Sequence, residues 1–289
     1  MAEMTDDMEN LREWIGRTDE AESRITAPNA DILNATFDRD DPPLKDGDAI
    51  PPAWHWLYFP EHVKLADTGP DGHAARGGFM PPVPLPRRMW ATNRQRYHRP
   101  LRVGEAIRKV STITDVAPKT GRSGALCFVT TRHEIFGADG LATTEDHTTV
   151  YRGAADPNAP APQPQPAPGT AVWKRAIHPT PVLLFRYSAV TMNSHRIHYD
   201  RDYVKANGYP GLLVQGTLIA RLMLELVHGH RPDADIAAFA FRSGRPLYDT
   251  GPFTIEGEPS DDGAGVRLRA LGPDGGISMT AAAEIRGER

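Results

Sequence analysis

The stretch from Gly216 to Gly229 constrains the fold more than any other part of the sequence, because it predicts a helix with an unusually broad apolar face. Its apolar side chains recur at helical spacing and are Leu218, Ile219, Leu222, Met223, Leu226 and Val227. The polar residues of its other face, Arg221, Glu225 and His228, form only a narrow stripe. Such a helix must be almost surrounded by other elements. A curved antiparallel sheet wrapped round it would achieve that.

A proline-rich segment divides the chain near its middle. Residues 154–170 are AADPNAPAPQPQPAPGT, with no hydrophobic periodicity and few large apolar side chains. This composition favours extended polyproline II over packed structure. The sequence therefore predicts an N-terminal domain of residues 1–153, a linker of residues 154–170 and a C-terminal domain of residues 171–289.

The two parts repeat one pattern. The first has strand-like stretches near 106–115, 124–136 and 141–151, with an Asp-Gly turn before the last. The second has strand-like stretches near 252–259, 264–271 and 277–286, again with an Asp-Gly turn before the last. The repeated order of strand, strand, turn and strand indicates that one unit has been duplicated.

The first part lacks a counterpart of the buried helix. The matching stretch, Gly77 to Trp90, is GGFMPPVPLPRRMW and carries prolines at 81, 82, 84 and 86. Proline removes a backbone donor and clashes with the preceding turn, so a long helix is excluded there. The first part thus keeps the sheet and loses the helix. The groove that this leaves could hold a ligand.

Composition excludes several classes of function. The 33 basic and 37 acidic residues give a net charge of −4, with no basic excess for binding nucleic acid. No apolar run approaches the roughly 18 residues needed to span a bilayer. The acidic start lacks a signal-peptide core, and Cys127 is the single cysteine. We therefore expect a cytoplasmic protein without a membrane segment, and Cys127 as a small buried hydrophobe in a strand.

The densest polar cluster, residues 187–200, lies in a predicted loop between an apolar run at 181–185 and a short helix at 201–207. Asp200 is the expected N-cap of that helix and Gly208 its C′ residue. A Gly-containing turn then leads into the buried helix. Backbone N–H groups at a helix N-terminus can hold an oxyanion, and a neutral histidine can move a proton at neutral pH. Together they suit proton chemistry beside a thioester or ketone carbonyl.

Asn193 and His198, followed by Leu213-Val214-Gln215-Gly216, resemble the motif of the MaoC-like hot-dog hydratases. The whole chain is similar to the branch that holds fungal-type mitochondrial 3-hydroxyacyl-thioester dehydratases and bacterial mesaconyl-C4-CoA and itaconyl-CoA hydratases. The resemblance implies an α+β double hot dog of two antiparallel sheets, with the central helix kept in the C-terminal half and degraded in the N-terminal half. It also implies a hydro-lyase acting on an acyl-CoA thioester without cofactor or metal.

The resemblance places His198 in the catalytic histidine position and the Gly216 N–H as the oxyanion donor. Asn193 stands where the family has aspartate, and an amide can orient water but cannot take its proton. The neighbouring residues expected to bind substrate are His195, Arg196, Gln215, Tyr187 and Arg186. Tyr187 also fits the alternative of a core aromatic.

Other interpretations stay open. His195 and His198 have the spacing of a metal-binding pair, but no third ligand stands at a familiar offset. The missing aspartate leaves a hot dog that only binds acyl thioesters as an alternative. A thioesterase on the same fold is another.

The resemblance and the arginines together suggest a short branched or dicarboxylic acyl group. In a dicarboxylic acyl thioester, the carboxylate that is not joined to CoA needs a cation to bind it, ideally a guanidinium. Candidates are Arg87, Arg88, Arg186, Arg196, Arg242 and Arg245, of which we expect one or two to contact substrate. A dehydratase of fatty-acid metabolism, acting on a CoA or acyl-carrier-protein thioester, is the alternative. We expect a homodimer.

Overall fold

The structure, a computed structural model, describes residues 8, 10–121, 124–154, 163–169 and 171–287. The strands are β1 Thr18–Arg24, β2 Arg87–Tyr97, β3 Ala106–Gly121, β4 Gly124–Gly137, β5 Gly140–Arg152, β6 Trp173–Ile177, β7 Ile236–Ser243, β8 Phe253–Pro259, β9 Gly265–Leu271 and β10 Ile277–Ile285. The α-helices are α1 Ala27–Thr36, α2 Pro181–Thr191, α3 Arg201–Ala206 and α4 Gly216–His230. Short 3₁₀ helices cover Leu11–Trp14, Trp54–Leu57, Leu65–Asp67 and Arg196–His198. Within the described residues, no helix is long and apolar enough to cross a membrane.

The strands form one antiparallel sheet in the order β1-β3-β4-β5-β2-β7-β10-β9-β8-β6. Counted from the outer edge of the sheet inward, each half contributes its five strands in the same order. That order is the first, third, fourth, fifth and second strand of the half. This shared topology is what duplication predicts. The two predicted antiparallel sheets are continuous with each other, because β2 and β7 pair from Thr92↔Arg242 to Arg96↔Ala238 and join the halves edge to edge.

The sequence located the strands that alternate in polarity and missed the others. The predicted stretches correspond to β3, β4, β5, β8, β9 and β10. The missed edge strand β1, TDEAESR, is mostly exposed, so it carries no apolar alternation. β2 begins at Arg87, inside the stretch that was matched to the lost helix. Cys127 on β4 is fully buried, as its strand context predicted.

Helix α4 is enclosed on all sides, as its apolar face predicted. Every residue from Leu218 to Val227 is buried, and the helix packs against β6, β8, β9 and β10. Its polar stripe is covered by the N-terminal half. Arg221 Nη2 donates to the Ala53 carbonyl at 2.9 Å, and Glu225 pairs with Arg39 at 3.1 Å.

Among the described residues, no helix covers the N-terminal sheet in the place that α4 occupies in the other half. Residues 77–86 are irregular, as their prolines predicted. Helix α1 follows β1 as α2 follows β6, and both helices have proline in the first turn. These two helices pack against each other and leave the face of the N-terminal sheet open.

The predicted linker is only partly described, since residues 155–162 and 170 lie outside the described residues. Its C-terminal part contacts the second half. Pro166 forms an isolated bridge with Gly276, and the Ile277 N–H donates to the Gln165 carbonyl at 3.0 Å. The domain division therefore stays a prediction, with residues 163–169 attached to the C-terminal half.

The polar stretch from 187 to 200 is not a continuous loop, which corrects the sequence prediction. Its first residues belong to α2, which ends where Met192 adopts a left-handed φ of 49°. Asp200 caps α3 as predicted, accepting the Tyr203 N–H at 2.9 Å, and Gly208 follows that helix with φ 72°. The stretch is thus held at both ends by helices.

Candidate active site

A cavity of about 870 Å³ lies over the N-terminal sheet, where the missing helix would have been. Its floor is formed by residues of β2 to β5, and one wall by the 193–198 segment and the start of α4. The predicted groove is therefore present. Both halves of the chain contribute to it.

His198 lines the cavity from the Arg196–His198 3₁₀ helix and is only 6% exposed. Its Nδ1 lies 2.8 Å from the Leu213 carbonyl oxygen. Because a carbonyl only accepts, Nδ1 carries the proton and Nε2 is left as the basic nitrogen. Burial lowers the pKa of His198 to about 4, so the ring is neutral at pH 7.

Asn193 and His195 lie beside His198 in the cavity wall. The Asn193 side-chain oxygen accepts the His195 backbone N–H at 3.2 Å, which assigns Oδ1 to that bond and leaves Nδ2 as a donor. The His195 ring lies 5.4 Å from the His198 ring, centre to centre. Burial lowers the pKa of His195, and the nearby His73 and His198 lower it further. His195 and His198 are therefore both neutral imidazoles at pH 7.

The N-terminus of α4 opens into the same cavity. Gly216 and Thr217 line it, and the Gln215 side chain does not cap the helix. The first intrahelical bond runs from the Ile219 N–H to the Gln215 carbonyl at 3.1 Å, so the amides before Ile219 have no acceptor within the helix. These amides suit a carbonyl oxygen that gains negative charge.

Gln215 lines the cavity, but its amide nitrogen is already engaged. Nε2 donates to the Leu184 carbonyl and to Ser188 Oγ, both at 3.0 Å, which ties α2 to the start of α4. Its buried Oε1 has no hydrogen-bond partner among the described residues. Gln215 therefore holds the helix end in place and presents one acceptor.

Three predicted substrate-binding residues lie away from the cavity. Tyr187 is fully buried in the core, where its ring stacks on Phe37 at 6.5 Å. Arg186 is exposed on α2 and donates to Thr36 Oγ1 at 3.2 Å, because helical geometry turns it away from the site. Arg196 pairs with Asp200 at 2.8 Å. None of these three residues lines the cavity, and the contacts observed for them are structural.

A segment of the N-terminal half, residues 69–76, docks against the 193–198 segment. The Arg196 N–H donates to the Asp71 carbonyl at 2.9 Å, and Ser194 Oγ donates to the Gly72 carbonyl at 2.5 Å. This contact brings the His73 ring within 4.3 Å of the His195 ring, centre to centre. Burial lowers the pKa of His73 to about 3. No local pattern in the sequence indicates His73, since the contact joins segments about 120 residues apart.

The cavity floor carries polar side chains on neighbouring strands that sequence analysis missed. The floor residues of this kind are Lys109, Ser111, Thr131, His133, His147 and Thr149. A readable signal existed, because Thr131 and His133 alternate on β4 between the apolar Val129 and Ile135. Burial lowers the pKa of His133 to about 4 and that of His147 to about 3.

A buried carboxylate, Glu145 on β5, is held beside this floor by three donors. His55 Nε2 lies 2.9 Å away, Trp56 Nε1 3.0 Å and Asn93 Nδ2 2.5 Å. Burial raises the pKa of Glu145, but the hydrogen bond and charge of His55 outweigh it and hold the pKa far below its usual range. Glu145 thus anchors the 3₁₀ helix Trp54–Leu57 to the sheet.

The part of the chain that the structure describes contains no group of three or more His, Cys, Asp or Glu side chains placed to hold a metal ion. His195 and His198 are close, and His73 extends the group. All three rings line the cavity, His198 buried and His73 and His195 half-buried. Their arrangement offers neutral imidazoles for proton transfer.

A double hot dog with a neutral histidine beside an open helix N-terminus defines the MaoC-like class of hydratases and dehydratases. The chain belongs to the hydroxyacyl-thioester dehydratase type 2 family, whose sequence model matches residues 53–249. The protein is accordingly a hydro-lyase. Both the α+β double hot-dog prediction and the enzyme-class prediction are confirmed.

Several relatives support this assignment. The chain is 42% identical over 275 residues to the mesaconyl-C4-CoA hydratase of Chloroflexus aurantiacus, covering 95% of this chain and 97% of that protein. It is 26% identical to the mitochondrial hydroxyacyl-thioester dehydratase type 2 of Schizosaccharomyces pombe, covering 72% and 77% of the two chains. The crystal structure of a MaoC-like dehydratase from Phytophthora capsici matches the fold with a TM-score of 0.70 at 12% identity, covering 97% of this chain and 99% of that one.

Proposed function

We propose that the protein hydrates a short, branched and carboxylated 2-enoyl-CoA thioester of the mesaconyl-C4-CoA type. The polarity of the cavity floor carries this proposal. The 42% identity of the chain to the Chloroflexus hydratase supports the same substrate class. Itaconyl-CoA, an isomer of mesaconyl-C4-CoA that also carries a carboxylate, is a further candidate.

The two halves of the sheet show why the polar floor points to substrate. Under α4, the corresponding sheet face is apolar and includes Ile255, Leu268 and Ala270. In the N-terminal half, the same face carries hydroxyl, imidazole and ammonium groups toward the cavity. The fold does not require these groups there, and burying a long alkyl chain against them would leave polar atoms without partners. A short polar acyl group is favoured over a fatty acyl chain.

The reaction follows from the groups at the helix end. The Gly216 N–H polarises the thioester carbonyl, while His198 Nε2 takes a proton from a water molecule as its oxygen bonds to the β-carbon. The electron pair of the double bond moves onto the thioester oxygen as an enolate. The imidazolium of His198 then returns its proton to the α-carbon. One histidine serves both steps, so hydroxide and proton add to the same face.

Asn193 orients the water in this scheme. Its Oδ1 is occupied by the His195 N–H, so it offers the water oxygen its Nδ2 donor. An amide in place of the aspartate leaves proton transfer to His198 alone. The neutral state of His198 at pH 7 suits that task.

Rates of hydration on a substrate panel test this proposal. We expect kcat/KM for mesaconyl-C4-CoA to exceed that for crotonyl-CoA by about tenfold or more, because a charge-assisted pair contributes about 1.5–3 kcal/mol. Equal values, or a preference for a long-chain 2-enoyl-CoA, would indicate the fatty-acid dehydratase instead. Release of free CoA would indicate a thioesterase, and binding without turnover a binding protein.

We further propose that the protein is a cytoplasmic homodimer. A single cysteine is consistent with a reducing compartment. His73 and His198 come from the same chain, so a dimer is not needed to complete the cavity wall. Light scattering should give twice the chain mass of 31.7 kDa, and a monomer mass would contradict the proposal.

A further inference from the structure

Four lysine and arginine side chains line the cavity within the described residues, namely Arg76, Arg88, Lys109 and Arg245. Two of them are committed elsewhere. Arg76 donates to the carbonyls of Val83 and Leu85 at 2.7 and 2.6 Å, which fixes the irregular segment before β2. Arg245 pairs with Asp274 at 2.8 Å, and its buried Nη1, which has no hydrogen-bond partner among the described residues, packs against Gly276.

Lys109 lies on the far part of the floor. It stands on β3, which is separated from β2 by β4 and β5, a span of about 14 Å at the usual strand spacing. Its ammonium group lies 4.9 Å from the centre of the Phe59 ring. Lys109 is therefore remote from any substrate group that binds next to β2.

Arg88 stands on β2 beside the cavity wall that residues 193–198 form. Strand alternation turns its side chain into the cavity. Its neighbour Arg87 points the other way and lies 5.8 Å from the centre of the Tyr209 ring. The Arg88 charge lies close enough to His73 and His195 to lower the pKa of each, in addition to the effect of burial. Arg88 is thus near the histidine cluster.

The guanidinium of Arg88 has unused donors. Among the described residues, its polar partners are the Asp71 carboxylate, 3.6 Å from Nη2, and the Tyr151 hydroxyl. Its buried Nε has no hydrogen-bond partner there. A guanidinium has five N–H donors, so Arg88 can donate to a second carboxylate without breaking the pair with Asp71.

We propose that Arg88 binds the substrate carboxylate, an inference that rests on the proposed function. In mesaconyl-C4-CoA this carboxylate is attached to the β-carbon, the atom that water attacks. Its binding group must therefore lie within reach of the cluster of His73, His195 and His198, and Arg88 borders that cluster through Asp71, His73 and His195. Neutralising the carboxylate also removes the repulsion that an incoming hydroxide would meet, so Arg88 affects kcat as well as KM.

Substitution of Arg88, with its neighbour as a matched control, tests this inference. Arg88→Gln should lower the ratio of kcat/KM for mesaconyl-C4-CoA over crotonyl-CoA by at least about tenfold, the effect of losing one charge-assisted hydrogen bond. Arg88→Lys keeps the charge without the forked geometry and should give an intermediate ratio. Arg87→Gln, on the opposite face of the same strand, should leave both values unchanged.

The outcomes separate this inference from the proposed function. A wild-type ratio near one would overturn the proposed substrate class. A high wild-type ratio that Arg88→Gln leaves intact would overturn only the role of Arg88. Equal losses on both substrates would also overturn it, since they would indicate structural support of the site. If Arg88→Gln does not fold, a wild-type ratio in Arg88→Lys contradicts the inference.

Discussion

At the scale of single residues, the proposed chemistry depends on one buried hydrogen bond. The bond from His198 Nδ1 to the Leu213 carbonyl fixes the tautomer, so that Nε2 is the nitrogen available to water. The same bond makes His198 part of the packing. The residue is therefore more than a loop side chain that can be removed without consequence.

Replacing His198 with alanine should lower kcat by about 10²–10⁴, the usual contribution of a positioned acid–base group. Stability should fall by about 1–3 kcal/mol, because the Leu213 carbonyl loses its buried donor. Enoyl-thioester absorbance and urea unfolding measure the two effects. His98 is exposed, so His98→Gln is the control. Undiminished hydration by His198→Ala would contradict the acid–base role of His198.

Five histidines in and around the cavity make stability depend on pH. Burial lowers the pKa values of His73, His133, His147, His195 and His198. In the unfolded chain each titrates near 6.5, so below that pH the unfolded state binds more protons than the folded state. Their contribution to stability is present above about pH 6.5 and is lost as pH falls through the folded-state pKa values, about 4 for His133 and His198 and about 3 for His73 and His147.

Urea unfolding should therefore show that the free energy of unfolding decreases as the pH is lowered from 7.5 to 5. The decrease should be up to about 1.4 kcal/mol per pH unit for each of these histidines. His147→Gln should reduce this slope by about one histidine's share, since glutamine does not titrate. An unchanged slope in that variant would mean that His147 does not contribute as a neutral buried group.

At the scale of elements, the 69–76 segment positions the cavity wall that residues 193–198 form. Gly72 has a φ of +90°, and a Cβ added there would collide with the Ser194 carbonyl oxygen. The close approach is required for the hydrogen bonds that join this segment to residues 194–196. The N-terminal half thus shapes a site whose proposed catalytic histidine, His198, comes from the C-terminal half.

Gly72→Ala should lower kcat/KM by about tenfold or more, because the segment must move away from Ser194 and carries His73 with it. Gly77→Ala is the matched control. Gly77 has a φ of +93°, and an added Cβ would meet only Pro82 Cβ at 3.9 Å. Both variants carry the left-handed strain, so equal loss in both would mean that backbone strain, and not the contact with Ser194, limits activity.

At the scale of the whole molecule, the β2–β7 junction makes the two halves one sheet. Five residue pairs join the strands in antiparallel register. The buried Arg39–Glu225 pair and the Arg221–Ala53 hydrogen bond add contacts between the N-terminal half and α4. Continuity of the chain between the halves is therefore not needed to hold them together.

A protease site inserted within residues 155–162 should allow the chain to be cut without separating its parts. Both fragments should elute together in gel filtration, and hydration activity should survive the cut. The uncut protein with the same insertion is the control. Fragments that separate as two soluble halves would contradict a shared sheet.

Much of the local structure could be predicted from the sequence, because each such element has its cause within a few neighbouring residues. The apolar periodicity of α4, the alternation of β10, the cap at Asp200 and the prolines of residues 77–86 are of this kind. The motif at Asn193 and His198 indicated both the fold and the enzyme class. These features depend on spacing along the chain, which the sequence contains directly.

Only the tertiary structure decided which side chains share the cavity. His73 contacts a segment about 120 residues away, and neighbouring Arg87 and Arg88 differ only in the face of β2 that they occupy. Tyr187 and Arg186 belong to the motif region, yet the helix that contains them turns both away from the site. Such placements result from packing between distant backbones, and no local pattern of residues records which face of a strand or helix will border a ligand.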